Sequence, residues 1–269
     1  MSSAKLSVVS TLLLAAAALL AGCSSKPIDP TAKMTPDEIY AQARDEVENL
    51  QYAKGIALFE KLEGRAAGTP LAQQAQLEKA HAHYKAEEPA QAIATLDRFM
   101  RLHSASPAID YALYLKGLVN FNENKGLFSA ITRQDLSERD QQAAKESYAA
   151  FKELVTRFPN SRYTPDAQAR MTYIVNSLAQ YEVHVARYYY RRGAYVAAIN
   201  RAQQAIADYR DAPALEEALY LLVQSFEALK LPQLRDDARR VLEASYPQSR
   251  YLTGKSVPAT EQDPWWKMW

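Results

Sequence analysis

One cysteine, Cys23, is all that the 269-residue sequence holds, so no disulfide can form within the chain. Glycine is scarce, at 8 residues, and the alternation of valine and isoleucine that marks strands is rare. Both absences argue for an all-α fold. Histidine is scarcer still, at 4 residues, and His81 and His83 stand two apart, where a helix points them to different faces. They make no zinc pair. Charge of one sign is missing too: 32 Lys and Arg against 31 Asp and Glu leave a net charge of +1, which gives no electrostatic footprint for nucleic acid. No G-x-S-x-G, H-E-x-x-H, P-loop or G-x-G-x-x-G motif occurs. An enzyme is therefore not expected, nor a catalytic residue, a metal site or a cofactor. The carboxylates stand at helical surface spacing beside cations, as Glu182 with Arg187 or Asp236-Asp237 with Arg239-Arg240, and solvated faces are expected there.

The chain opens with Lys5 and an apolar run from Leu6 to Leu20, too short for a comfortable membrane span and suited to the core of a signal peptide. The run ends in Leu20-Ala21-Gly22-Cys23, which is similar to a bacterial lipobox. Residues 1–22 are then a lipoprotein signal peptide, and Cys23 is the lipidation site. Ser24 follows where an aspartate would retain many such proteins in the inner membrane, so the outer membrane, reached on its periplasmic face, is the expected address. Residues 23–34, with Pro27 and Pro30 and no apolar period, read as a lipidated tether.

From residue 35 the pattern is helical. Thr35-Pro36-Asp37-Glu38 has an N-cap, a first-turn proline and a capping-box carboxylate. Similar starts return at Thr69-Pro70, Ser106-Pro107 and Thr164-Pro165, with a looser one at Ala212-Pro213. The first intervals, about 34 and 37 residues, match the tetratricopeptide period. Each interval holds two helical patterns: Ile39–Asn49 with Tyr52–Leu62, Ala72–Tyr84 with Pro89–Leu102, Tyr111–Phe121 with Gln141–Phe158, the two arms of Tyr173–Tyr209, and Leu215–Leu229 with Leu234–Tyr246. In the second of these Ala92, Leu96 and Phe99 hold core positions. The arms of Tyr173–Tyr209 carry apolar stripes at Val175, Leu178, Val185, Ala186 and Tyr189, then at Tyr195, Ala198, Ile199, Ala202, Ile206 and Tyr209, with Gly193 at the break. The fold expected is an all-α, tetratricopeptide-type solenoid of about five helical hairpins over residues 35–251, with N-terminal repeats at about 35–106 and C-terminal repeats at about 107–251. Asn122–Asp140 reads as an insert. Residues 252–269 form a tail holding all three tryptophans, Trp265, Trp266 and Trp269, a docking segment or a flexible end.

Among the charges, Arg191 and Arg192 close a long helix, where cations oppose its dipole. Arg201 lies mid-helix beside Asn200, one position off the apolar stripe, and an arginine there offers a planar fork to a partner carboxylate.

An ordered set of phrases carries a resemblance. It comprises Ile109-Asp110-Tyr111 leading to Tyr114, Lys116-Gly117 and Asn120; Arg139-Asp140; and Phe158-Pro159-Asn160-Ser161-Arg162-Tyr163, a phrase that also recurs within the chain, outside that set, as Tyr246-Pro247-Gln248-Ser249-Arg250-Tyr251 after another second helix. It continues with Leu178-Ala179, Tyr181-Glu182, Tyr188-Tyr189, Arg192-Gly193-Ala194 and Asn200-Arg201. The sequence resembles the BamD family, lipoproteins of the β-barrel assembly machinery of Gram-negative outer membranes. That resemblance implies C-terminal repeats that bind the periplasmic domain of a BamA-like barrel protein and help hold small Bam lipoproteins, with Arg201, Asn200, Arg192 and Arg191 as partner-binding residues. It implies N-terminal repeats that receive the targeting segments of unfolded outer-membrane proteins, with Tyr40 on that surface. The stretch Arg65-Ala66-Ala67-Gly68-Thr69-Pro70-Leu71 departs from the aromatic one common in relatives. The alternative function is that of a periplasmic repeat lipoprotein adaptor in cell-envelope or peptidoglycan maintenance.

Overall fold

The computed structural model describes residues 29–121 and 138–252, with side chains from residue 141 in the second segment. Cys23, the signal peptide, nearly all of the Asn122–Asp140 insert and the tryptophan tail lie outside the described residues. Ten helices are described, and no strand among them: α1 Pro36–Glu48, α2 Tyr52–Arg65, α3 Pro70–Lys85, α4 Pro89–Leu102, α5 Ile109–Asn120, α6 Glu138–Arg157, α7 Thr164–Arg191, α8 Tyr195–Asp208, α9 Leu215–Ala228 and α10 Pro232–Ser245. Each helix packs on its neighbour in sequence, and α7 also packs on α9, so hairpins stack as in a helical-repeat solenoid.

Four of the hairpins, α1–α2, α3–α4, α7–α8 and α9–α10, share one turn. Leu50, Glu87, Gly193 and Lys230 all have positive φ, between 59° and 75°. Each ends the first helix of a hairpin with the same pair of backbone hydrogen bonds. The N–H of the turn residue reaches back three positions, as Gly193 to Tyr190 at 3.0 Å, and the next N–H reaches back five, as Ala194 to Tyr189 at 3.0 Å. This is a Schellman closure, which satisfies carbonyls that a helix end would leave bare. Only Gly193 fills it without a side-chain penalty. The chain then turns directly into the second helix.

The helix starts follow the sequence in part. At α1 the Thr35 hydroxyl accepts from the Glu38 N–H at 3.3 Å, and the Glu38 carboxylate accepts from the Thr35 N–H at 2.7 Å. Thr69 caps α3 in the same sense, accepting from the Ala72 N–H at 3.2 Å. The other expected starts differ. Thr164 lies inside α7, buried, with its hydroxyl donating to the Phe158 carbonyl at 2.8 Å. Ser106 instead accepts from the Ala108 N–H, and α5 begins at Ile109.

The core has three clusters. Ile39, Ala43, Phe59 and Leu62 of α1 and α2 meet Ala72 and Ala75 of α3. Leu77 and Ala80, further along α3, belong to the next cluster with Leu96, Phe99, Leu113, Phe151 and Leu154. The 28-residue α7 gives Ala167, Ile174 and Leu178 to that second cluster and Ala179, Val183 and Ala186 to the third, which also holds Ala202, Leu222 and Leu242. Here the expected stripe shifts. Val175 and Val185 are only partly buried, while Ile174 and Val183 sit at the centre. A helix of this length, packed on two sides, rotates its buried face away from a single stripe. Ala198, Ala202 and Ala205 on α8 are fully buried, so the α7 and α8 backbones approach closely.

The turn geometry sets two expectations. Gly193→Ala forces a Cβ into the left-handed region and is expected to lower unfolding stability by about 1–2 kcal/mol. Leu50→Gly relieves the same strain at an exposed site and is expected to raise it by up to about 1 kcal/mol. Urea denaturation of both variants reads the two signs.

Candidate functional site

The stretch ahead of α1 is the first feature. Residues 29–34, expected within the tether, are fastened to α2. Asp29 Oδ1 accepts from Lys61 Nζ at 2.6 Å and from the Thr31 hydroxyl at 2.8 Å, and Arg65 Nη1 donates to the Thr31 carbonyl at 2.5 Å. Thr31 is buried. The Lys61 and Thr31 donors hold the Asp29 carboxyl down at about 2.

The first helices of successive hairpins, α1, α3, α5 and α7, are linked by an aromatic and polar ladder. Tyr40 on α1 receives a hydrogen bond from Gln74 Nε2 at 2.5 Å and donates to Glu78 Oε1 at 3.4 Å, both on α3. The Glu78 charge also reaches Tyr111 on α5, raising its phenol. Tyr111 lies 5.6 Å from the ring of Tyr163, and Tyr114 stacks on the same ring at 4.7 Å. Tyr114 donates to Asp166 Oδ2 on α7 at 2.8 Å, and Arg170 Nε donates to the same oxygen at 2.6 Å. Arg170 also lies 4.7 Å over Phe121, whose ring meets Tyr173 at 5.6 Å. The result is a half-exposed band of rings edged by charge, the composition of a peptide-binding surface.

Electrostatics keep the phenols of Tyr40, Tyr111 and Tyr114 neutral. Burial pushes the Tyr111 hydroxyl up to about 12, with Glu78 and Tyr163 adding to it. Burial likewise raises Tyr40 and Tyr114, each beside a carboxylate. Burial would also raise Asp166, but hydrogen bonds from Arg170 and Tyr114 outweigh it and hold its carboxyl below the ordinary value.

The phrase that precedes α7 builds one end of this band, and its repeat builds a second. In both, the serine hydroxyl accepts from the tyrosine N–H two residues on, at 3.2 Å for Ser161 and for Ser249. The arginine lies over that tyrosine ring, at 4.7 Å for Arg162 and 5.0 Å for Arg250. The ring then stacks on the sixth residue of an earlier helix: Tyr163 on Tyr114 of α5, and Tyr251 on Tyr220 of α9 at 4.4 Å.

The four arginine and asparagine candidates gather on the α7–α8 hairpin, all of them exposed. Arg192 lies 5.5 Å over the Tyr188 ring. Arg201 donates through Nη1 to Glu182 Oε2 at 3.1 Å, its own side chain 46% exposed and that of Glu182 8% exposed. Glu182 was expected on a solvated face beside Arg187, and the structure corrects this. Glu182 points into the α7–α8 packing, and Arg187 instead clamps Glu217 of α9 with two nitrogens. Spacing along one helix pairs neighbours on its surface, whereas the partners here come from adjacent helices. Asp237 does pair locally, with Arg240. Tyr40 and the arginine hairpin belong to different core clusters and form two separate surfaces.

The profile of the family described as outer membrane lipoprotein, YfiO, matches residues 32–242. An outer membrane protein assembly factor BamD of Neisseria meningitidis serogroup A is 44% identical over 255 residues, covering 93% of this chain and 95% of that one. The chain belongs to the BamD family of outer membrane lipoproteins. The similarity reaches further relatives: the assembly factor BamD of Vibrio cholerae is 32% identical over 230 residues, covering 86% of this chain and 95% of that protein. The solved structure of a MamA protein superposes with a TM-score of only 0.37 at 14% identity, over 83% of this chain and 98% of that one, and adds nothing to the BamD assignment. No described helix is long and apolar enough to cross a membrane.

The ladder residues Glu78, Tyr163, Asp166 and Arg170 escaped the sequence reading as a site. Their signal was there, in the Ser-Arg-Tyr phrase that occurs twice and in the Ala-Leu-Tyr that each phrase meets, at Ala112-Leu113-Tyr114 and Ala218-Leu219-Tyr220.

Tyr114→Phe removes the link between α5 and α7. The expected loss is about 1 kcal/mol at neutral pH, read by urea denaturation. The loss shrinks as pH falls through Asp166's folded value, which lies below the ordinary 3.8, because a protonated acid accepts more weakly than a carboxylate.

Proposed function

We propose that this chain is a lipid-anchored, non-catalytic scaffold of outer-membrane β-barrel assembly, working by recognition alone. Membership of the BamD family, at 44% identity over 93% of the chain, carries the reading. In it, Cys23 bears the lipid after removal of residues 1–22. Six residues from Cys23 to Asp29 span at most about 20 Å. Because Asp29 is fastened to Lys61, the first hairpin works close to the membrane surface.

The band running from Tyr40 over Tyr111, Tyr114 and Tyr163 receives unfolded outer-membrane protein segments. Such segments are rich in aromatic and β-branched side chains, and rings with neutral phenols offer both apolar faces and hydroxyl donors to them. The α7–α8 hairpin holds the periplasmic domain of a BamA-like barrel protein through Arg191, Arg192, Asn200 and Arg201, with small Bam lipoproteins alongside. Glu182 sets the Arg201 guanidinium in place while nearly half of the side chain stays open to a partner carboxylate.

Charge reversal at Arg201 is a poor test, since a glutamate there would face the nearly buried Glu182 and unfold the hairpin for its own reasons. Arg201→Gln keeps a hydrogen bond to Glu182 and removes the charge. Glu182→Gln keeps the guanidinium and removes its internal carboxylate. The tagged, lipidated protein is purified from detergent-solubilised outer membranes, and the barrel partner is quantified by mass spectrometry. Arg201→Gln is expected to lower partner recovery about tenfold, one charge-assisted contact, while Glu182→Gln retains it. Equal loss in both variants would confine Arg201 to an internal role. Recovery of peptidoglycan-linked or division proteins in place of a barrel protein would overturn the assembly reading itself.

A further inference from the structure

A cleft of about 650 Å³ lies between α2 and α4 and is floored by α3. It is separate from the aromatic band. At 100° per residue, Gln74, Glu78 and His81 share one side of α3, and Gln76 and Lys79 point to roughly the opposite side.

The cleft has a polar floor and walls of opposite charge. From α2 come Glu60 and Glu63, and the Lys79 ammonium on the floor forms ion pairs with both, 2.6 Å from Glu63 and 3.8 Å from Glu60. Two carboxylates against one ammonium leave this wall with negative charge to spare. From α4 comes Arg98, exposed and with no hydrogen bond or ion pair among the described residues, and beside it Leu102, 59% exposed. Gln76 lies between the walls. It is 8% exposed, and its Oε1 has no hydrogen-bond partner. A buried amide atom left unpaired is costly, and a bound ligand that pairs it recovers that cost.

The α2 wall also has an unexplained gap. Gly64 is the second-last residue of α2, and a Cβ built on it meets nothing within 4 Å. Neither packing nor backbone conformation requires glycine there, yet glycine weakens a helix. What the missing side chain leaves is room for another backbone to lie against α2.

We propose that this cleft is a second peptide seat, taking an extended segment with an acidic side chain that pairs with Arg98. The segment's main chain lies along the open backbone at Gly64, and one of its amides pairs with Gln76. Its N–H groups face Glu60 and Glu63, and an apolar side chain covers Leu102. An anion alone would leave the acidic wall unused, and a cation alone would leave Arg98 unused. A peptide bearing a carboxylate satisfies both walls.

The probe is a fluorescein-labelled peptide, acetyl-Thr-Asp-Gly-Asp-Thr-amide, titrated into the full chain by fluorescence anisotropy. The neutral counterpart is acetyl-Thr-Asn-Gly-Asn-Thr-amide. The acidic peptide is expected to bind saturably and the neutral one at least roughly tenfold more weakly, the size of one charge-assisted contact. Arg98→Glu is expected to cost the acidic peptide a similar factor. Arg101→Glu makes the same charge change on the same helix outside the cleft and is expected to leave binding within about twofold, as a screened surface charge does. Gly64→Ala separates binding from folding: it is expected to raise the melting temperature and still weaken the peptide. Absence of saturable binding by the wild-type chain, equal weakening by Arg98→Glu and Arg101→Glu, or unchanged binding in Gly64→Ala would each overturn the proposal.

Discussion

The architecture depends on one helix. A helical hairpin buries one face internally and has a second face that water would otherwise meet, so stacking is obligatory. The 28-residue α7 satisfies this need twice, since its first half completes the second core cluster and its second half founds the third. Its length, roughly 42 Å at 1.5 Å per residue, is what makes the C-terminal hairpins continuous with the central ones. α3 plays the same part between the first two clusters, on a smaller scale. Repeats joined through shared helices cannot slide past each other without exposing core, so surfaces at the two ends keep a fixed relation.

Polar links add register to that frame. Lys79–Glu63, Lys116–Asp97 and Arg201–Glu182 each tie a helix to the preceding one, and Tyr114–Asp166 and Arg187–Glu217 tie first helices of neighbouring hairpins. Ion pairs of this kind add little net stability once desolvation is counted. They do penalise a wrong register, because a shifted helix would leave a carboxylate such as Glu182 buried and alone. The same groups give the surfaces their chemistry: neutral phenols on one band, positive charge on another.

Much of the fold could be read from the sequence. Thr35 with Glu38 and Thr69 announced two helix starts, Gly193 announced a turn, and the pattern of Ala92, Leu96 and Phe99 announced a buried face, all of which the structure contains. Three of the four Schellman turns were illegible, because Leu50, Glu87 and Lys230 carry no local preference for positive φ and the turn at each is closed by backbone hydrogen bonds. The α7 stripe was right at Leu178 and Ala186 but wrong at Val175 and Val185, because two neighbours, one on each side, define its buried face. The surfaces were harder. Spacing along a chain finds partners three or four residues apart, while Glu182 meets Arg201, Arg187 meets Glu217 and Tyr114 meets Asp166 across helices. Arg201 stood out in the sequence by its place one position off the apolar stripe, and a resemblance added to that, while the ring ladder emerged only from the stacking itself.

The most direct measurement of a scaffold with two separate working surfaces is site-specific photo-crosslinking in outer membranes while a β-barrel client is being made. A crosslinking side chain is placed at Gln74 beside Tyr40, at Arg192 on the α7–α8 hairpin, and at Arg239 on exposed α10 as a reference. The account predicts client adducts from Gln74, adducts to a resident barrel protein from Arg192, and neither from Arg239. Client adducts of equal yield at all three positions, or no barrel adduct from Arg192, would contradict it.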